Sequence, residues 1–273
     1  MKILVTGAAG LVGTAVSDML RDRGEDVIGV DRSPCPVGWV GSWAQADLVS
    51  EPLDSLVGAS DWVVHLAAVP SPGGIPDDLL FANNVTATFR VLDAAARTGV
   101  RRAVIASSVS IYGLVWADRE LSPSVLPLSE SDDLHIEDAY ALSKQADENT
   151  ARMISRRAEL PIIALRFPNV SSREDILQRS HRVELDLGYA HRELWAYLDL
   201  ADAGRAVHAA LSAETTGFLA INAVNEQPLA KVNLSHAIER FYPHADRSRL
   251  RSNCGYDTDR ARTLLKFIAG PIL

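Results

Sequence analysis

Thr6-Gly7-Ala8-Ala9-Gly10-Leu11-Val12-Gly13 is the stretch whose reading decides the fold. It follows Ile3–Thr6, a compact apolar run of the kind that forms a buried strand. It leads into Leu11–Arg23, where Leu11, Ala15, Met19 and Leu20 recur at helical spacing. Glycines placed so between strand and helix allow a tight turn, close approach of the backbone to a pyrophosphate, and close helix–strand packing. The helix N-terminus then turns its free N–H groups toward the negative charge. The next strand, Val27–Asp31, ends on a carboxylate eighteen residues past Gly13. An acid at that point can accept both hydroxyls of an adenosine ribose. Together the two features predict a dinucleotide site.

Working outward, strands and helices alternate. Trp62–Leu66, Ala103–Ala106 and Ile162–Arg166 read as strands, and Asp77–Thr98 and Glu137–Glu159 as long helices. The first long helix would carry Leu80, Val85, Phe89 and Leu92 inside. This rhythm predicts an α/β fold, a Rossmann-like doubly wound parallel sheet with helices on both faces. After Arg166 the pattern changes. Ser171–Arg192 is polar and weakly periodic, Leu194–Leu198 reads as a strand, Ala201–Ala213 as a helix and Phe218–Ile221 as a strand. Lys231–Arg240 and Asp257–Lys266 read as helices. The expected division is a dinucleotide-binding part over 1–166 and a small C-terminal substrate-binding region over 167–273, with 194–222 returning to the sheet. The long loop Gly113–His135 reads either as a functional lid or as a surface excursion.

Composition narrows the function. With 273 residues, 47% hydrophobic and 23% charged, the chain has the make-up of a folded globular protein. A formal net charge of −8 argues against a general polyanion binder, so nucleic acid is not an expected partner. Two cysteines, Cys35 and Cys254, are too few for a disulfide framework and suit free thiols in a reducing compartment. No run approaches the ~18–20 apolar residues of a membrane span. Ile3–Val16 follows Lys2 and is mostly apolar, but three glycines interrupt it, so it reads as strand and turn instead of a signal peptide. A cytoplasmic location is the expectation.

Two further clusters carry chemistry. Tyr140 and Lys144 stand four apart on a predicted helix and so share a face. An ammonium beside a phenol favours the phenolate, which can act as a general base. Ser107-Ser108-Val109-Ser110 follows a predicted strand directly, and a serine at that C-terminal end lies where open α/β sheets bind ligands. The seven histidines are scattered and no cluster has metal-ligand spacing.

Taken together, these residues resemble the extended short-chain dehydrogenase/reductase superfamily, in its NAD-dependent epimerase/dehydratase branch. Thr6–Gly13 is similar to its TGxxGxxG, Asp47-Leu48 to its adenine-contacting segment, and His65-Leu66-Ala67-Ala68 to its HxAA. Asn84-Val85 resembles its helix asparagine motif, with Ala87 in place of a glycine. Ser108, Tyr140 and Lys144 resemble its catalytic triad. Arg166-Phe167-Pro168-Asn169-Val170 is similar to its LRxxNVYG segment, with Ser171-Ser172 replacing Tyr-Gly. Tyr197-Leu198-Asp199 with Asp202 resembles a later V-D-D segment.

The resemblance implies that Tyr140 takes a proton from a substrate hydroxyl while hydride moves to the nicotinamide. Ser108 would orient the same oxygen, and Lys144 would hold the nicotinamide ribose. It implies cofactor contacts from Gly7, Ala9, Gly10, Leu11, Val12, Gly13, Asp31, Arg32, Asp47, Leu48, Leu66, Ala67, Ala68, Asn84, Tyr140, Lys144 and Phe167. It implies substrate contacts from Ser71, Ser108, Val109, Ser110, Asn169 and Arg173. Asp31 favours NAD over NADP by repelling a 2′-phosphate, although Arg32 beside it can pair with that phosphate. Val109 and Ser110 stand where a sugar dehydratase carries its acid pair, which leaves epimerisation first and sugar, sugar-acid or polyol dehydrogenation second. A non-catalytic NAD(P)-binding role is a third reading. The short stretch from Arg166 to Asp202 favours a small sugar or sugar acid, with Arg173, Arg179, Arg182 and Arg192 available to an anionic group. A homodimer built on the two long helices is also implied, with Ala94, Ala95, Ala146 and Ala151 permitting close approach.

Overall fold

β1 (Lys2–Thr6) sends Ile3 and Val5 into one hydrophobic layer and Leu4 into another, as a strand's period of two requires, and all three are fully buried. The structure, a computed structural model, describes residues 1–272; Leu273, the end of the expected C-terminal region, lies outside the described residues. After β1 come α1 (Leu11–Asp22), β2 (Asp26–Asp31), β3 (Ser42–Gln45), α2 (Asp54–Val57), β4 (Trp62–His65), α3 (Asp77–Thr98) and β5 (Arg102–Ser108). Then follow α4 (Ala139–Ala158), β6 (Ile162–Phe167), β7 (Val170–Ser171), α5 (Arg173–Leu185), β8 (Leu198–Asp199), α6 (Leu200–Ser212), β9 (Phe218–Asn222), α7 (Leu234–Phe241) and α8 (Asp259–Leu264).

Seven strands form one parallel sheet in the order β3-β2-β1-β4-β5-β6-β9, the Rossmann-like doubly wound arrangement. The direction of winding reverses between β1 and β4, and a crevice opens there beyond the strands' C-terminal ends. α1 and α6 cover one face through Val16, Leu20, Ala203 and Val207. α3 and α4 cover the other through Val91, Leu92, Ala151 and Ile154. A third apolar cluster lies beside the sheet. Trp195, Tyr197, Tyr242 and Tyr256 gather there with Ile111 and Leu126.

Several expectations are corrected. Leu194–Leu198 is not a strand: Leu194 and Trp195 both have left-handed φ (52° and 55°), so this apolar run is a buried turn. Only Leu198–Asp199 is extended, paired with β7. The polar segment 171–192 contains a full helix, α5, started by Ser172, whose hydroxyl accepts the Asp175 N–H at 3.2 Å. Phe89 points outward at 41% exposure. Ala94, Ala95 and Ala151 are wholly buried in the core of their own chain, so they offer no surface to a second copy. The loop 113–135 is pinned: Val125 bridges to Asp246 and Leu128 to Tyr256. Its two ends also touch, since Gly113 has φ +86° and a Cβ there would overlap the His135 carbonyl.

The sheet, α4 and this loop are joined by one buried polar network. Arg166 of β6 donates to Glu148 of α4 through Nε (2.9 Å) and Nη2 (2.8 Å), and both side chains are 3% exposed. Ser107 of β5 donates to the same carboxylate at 2.7 Å. Arg166 Nη1 reaches the Tyr112 hydroxyl (3.0 Å), which donates to Asn222 of β9 (2.8 Å). Asn222 donates in turn to the carbonyls of Leu128 and Asp257.

Removing one partner of a buried pair strands the other charge, at a cost of about 3–5 kcal/mol. Glu148→Ala is therefore expected to lower unfolding stability by about that amount, with Glu148→Gln lower by less because it keeps hydrogen-bonding capacity. Urea denaturation midpoints check this, and a Glu148→Ala loss under about 1 kcal/mol would show the pair to be dispensable.

Candidate active site

The C-terminal ends of the sheet strands border a groove of about 650 Å³, within the range of cofactor and ligand sites. The glycine turn forms its floor on the β1–β2 side. Gly7 has φ +69°, and a Cβ there would lie 2.7 Å from the Ala67 nitrogen; a Cβ on Gly13 would overlap the Gly7 carbonyl. The backbone is thus bare by necessity, and a ligand can approach it closely. Gly10 starts the twelve-residue helix α1 with no capping side chain, which leaves the first-turn N–H groups to whatever lies in the groove. Asp31 accepts the N–H groups of Ala9 (3.1 Å) and Ser33 (2.9 Å) and so ties the turn to the end of β2. A carboxylate has further acceptor sites for a diol. Backbone and hydroxyl donors from Val49 and Ser50 hold the Asp47 carboxyl below its ordinary range. The bare turn, the open helix end and the flanking carboxylates fit a dinucleotide.

On the β5–β6 side, Ser108 ends β5, accepts the Ser110 N–H at 3.1 Å and donates to the Ser110 hydroxyl at 3.0 Å. Asp138 caps α4 by accepting the Ala141 N–H at 2.7 Å, which starts the helix just before Tyr140. Tyr140 and Lys144 therefore share one face, with the Lys144 nitrogen 5.9 Å from the Tyr140 ring centre. Lys144 donates to the Ala106 carbonyl at 3.0 Å and pairs with Asp147 at 3.3 Å. Burial is the largest influence and works against its ammonium; Asp147, Tyr140 and Glu148 together outweigh it, and the net direction is upward. His65 lies behind the groove wall, its Nδ1 2.7 Å from the Thr6 hydroxyl and its Nε2 3.1 Å from that of Thr88. Burial, assisted by the Lys144 charge, pushes it down to about 3, so its ring is neutral.

Of the residues expected to contact cofactor or substrate, all border the groove except Asn84, Ser71 and Arg173. The Asn84 amide is taken up on both sides: it accepts the Val69 N–H (2.8 Å) and donates to the Val69 carbonyl (3.1 Å) and the Ser143 hydroxyl (3.2 Å). It clamps α3 and α4 to the loop after β4, and its neighbour Asn83 borders the groove instead. Arg173 opens α5 and reaches toward the Ile272 carbonyl at 3.5 Å. Ser71 sits on the loop after β4, one residue past Pro70, which does line the groove. Trp116 and Glu193 do line the groove, unforeseen from the sequence. An aromatic residue in a long loop was a weak signal for the first, and no local pattern marked the second. Among the described residues no group of His, Cys, Asp or Glu is placed to hold a metal ion, and no helix is long and apolar enough to cross a membrane.

Residues 3–222 match the family described as NAD dependent epimerase/dehydratase family. An uncharacterized UDP-glucose epimerase, YtcB, of Bacillus subtilis is 30% identical over 185 residues, covering 61% of this chain and 56% of that protein. The UDP-glucose 4-epimerase of Corynebacterium glutamicum is 28% identical over 215 residues, 71% and 60% of the two chains. The matched part thus spans little more than half the length of these curated relatives. Among solved structures, MoeE5 in complex with UDP-glucose and NAD superposes with a TM-score of 0.73 at 28% identity, over 99% of this chain and 94% of that one.

The close approach at the glycine turn gives a direct test. Gly13→Ala forces a methyl group into the Gly7 carbonyl, and overpacking of this kind costs about 1–3 kcal/mol. The variant is expected to melt several degrees lower and to lose at least about tenfold in affinity for NAD by calorimetry. Unchanged NAD affinity would mean that the turn does not carry the dinucleotide.

Proposed function

Because the chain belongs to the NAD-dependent epimerase/dehydratase family, we propose that it is an NAD-dependent oxidoreductase acting on a secondary hydroxyl of a sugar, with epimerisation of a nucleotide sugar as its reaction. The observation that carries this reading is convergence: Ser108, Tyr140 and Lys144 border the same groove as the bare glycine turn. Gly7, Gly10, Gly13 and the start of α1 would hold the pyrophosphate, and Asp31 the adenosine ribose, which favours NAD over NADP. Lys144 would reach the nicotinamide ribose. When bound, the cofactor supplies reversible hydride transfer.

The chain's own residues handle the proton. Tyr140 Oη removes it from the sugar hydroxyl, and Ser108 Oγ hydrogen-bonds the same oxygen and fixes its direction. The Lys144 ammonium, facing the Tyr140 ring, would stabilise the negative charge that develops on the phenol oxygen in this step. Epimerisation then requires the keto sugar to present its other face before Tyr140 returns the proton. Val109 and Ser110 follow Ser108 in the groove and carry no carboxyl, so neither can protonate a leaving hydroxyl as dehydration demands. The division into a dinucleotide part over 1–166 and a substrate part over 167–273 belongs to this same reading. So does a cytoplasmic location, with which an exposed free Cys35 accords.

A second reading, a small uncharged sugar as substrate of a dehydrogenase, has one observation in its favour. Arg179 is paired with Glu193 at 2.5 Å, and Arg192 with Glu120 at 2.9 Å. Arg182 lies over Tyr189, and none of these three borders the groove. The nucleotide-sugar reading draws on the relatives named above.

Assay of UDP-glucose and UDP-galactose interconversion in the presence of NAD decides between them. Under the epimerase reading Tyr140→Phe is expected to lose about 10²–10⁴ in turnover while NAD affinity stays within about threefold. Near-normal turnover in that variant would refute the mechanism, and absence of UDP binding by calorimetry would favour the small-sugar dehydrogenase.

The homodimer is proposed through the outer faces of α3 and α4, where Phe89, Leu142 and Met153 are exposed. Light scattering at micromolar concentration is expected to give twice the chain mass, and a single-chain mass would dismiss the contact.

A further inference from the structure

Lys144 is enclosed by protein, and an enclosed ammonium is tolerated only with a partner charge. That charge is Asp147, almost one turn further along α4, with Oδ2 3.3 Å from the lysine nitrogen and side-chain exposures of 5% and 2%. Neither the triad nor the glycine turn accounts for this acid. No described residue donates a hydrogen bond of good geometry to its Oδ1, although the atom is buried. An unsatisfied carboxylate oxygen in that setting is costly and calls for a reason.

The surroundings supply one. The Thr88 hydroxyl of α3 faces Asp147 and also meets His65 Nε2 at 3.1 Å. His65 Nδ1 meets Thr6 at 2.7 Å, and Thr6 is the last residue of β1 before the glycine turn. A run of buried polar side chains thus leads from the cofactor cradle through His65 and Thr88 to Asp147, which pairs with Lys144. From α4 the other titratable groups facing Lys144 are Tyr140 and Glu148, from β4 the neutral His65. Glu148 cannot take over as counter-ion, because Arg166 of β6 holds both its oxygens.

We propose that Asp147 is a positioning residue for the Tyr140–Lys144 pair: as the buried counter-ion it keeps the Lys144 ammonium charged and fixed against the Ala106 carbonyl. The proposal rests on the functional reading above, in which that charge serves both the phenolate and the cofactor. The sign of its effect follows from burial. Without Asp147, desolvation dominates and the lysine sheds its proton at lower pH.

The chain has four lysines, so ¹³C-lysine labelling gives few resonances, and Lys144→Arg identifies the one of interest. In the parent protein the Lys144 signal is expected to titrate above the ordinary lysine range; a midpoint below that range would overturn the proposal with no variant needed. Asp147→Asn is expected to lower the midpoint by about one to two pH units, and Asp147→Glu to restore most of the shift. NAD affinity of Asp147→Asn is expected to fall at least about threefold as pH rises from about 7 to about 10, while the parent's holds within about twofold. An unmoved midpoint in an Asp147→Asn variant with the parent's circular dichroism and melting temperature would also overturn it. If the parent binds no NAD, the functional reading fails, and the lysine midpoint still judges the ion pair by itself.

Discussion

The structure depends above all on the buried fork between Arg166 and Glu148. Two parallel N–H···O bonds fix both the distance and the rotation of α4 relative to β6. Ser107 attaches β5 to the same carboxylate, and Tyr112 with Asn222 carries the connection to β9 and the segments beyond. In a low-dielectric interior such a network is stiff because each unmade bond is expensive. Its reach explains why Ser108 of β5 borders the same groove as Tyr140 and Lys144 of α4. Asp147 and Glu148 are neighbours in sequence yet point into different parts of the interior. One completes the fork, and the other faces Lys144 and the α3 side.

Much of this was legible in the sequence because it is local. The strands at Ile3–Thr6, Val27–Asp31 and Ile162–Arg166 are continuous apolar runs, as strands covered on both faces must be. The glycine turn was legible because only glycine survives the close contacts at Gly7 and Gly13. Tyr140 and Lys144 were legible because helical geometry converts a spacing of four into a shared face.

What was missed is non-local or misleading in composition. β3, Ser42–Gln45, is a short edge strand beside Trp39, too polar to announce itself. α5 hides because only Ile176, Ser180 and Val183 are buried, although the Ser172–Asp175 cap was readable. Leu194–Leu198 has a strand's composition, but its burial comes from a left-handed turn at Leu194 and Trp195 within the third cluster. Asn84 carries a motif that suggests a ligand contact, whereas its hydrogen bonds are spent on the scaffold. Glu193 reaches the groove from far along the chain, and no periodicity predicts that meeting.

The contact between Gly113 and His135 closes the chain between them into a hoop, whose feet are set by the sheet and α4 and not by the hoop itself. The entropy of closing such a hoop grows only with the logarithm of its length. Asp118, Arg119 and Glu120 lie at its exposed rim, clear of the anchors at Val125 and Leu128. The rim is tied only by exposed ion pairs, Arg119 with Glu137 and Glu120 with Arg192, each worth little, so added or deleted residues there cost little. Trp116 borders the groove from the same hoop, so a change in hoop length at the rim alters the mouth of the site and leaves its chemistry in place. Substrate range can diversify at this rim independently of the machinery below it.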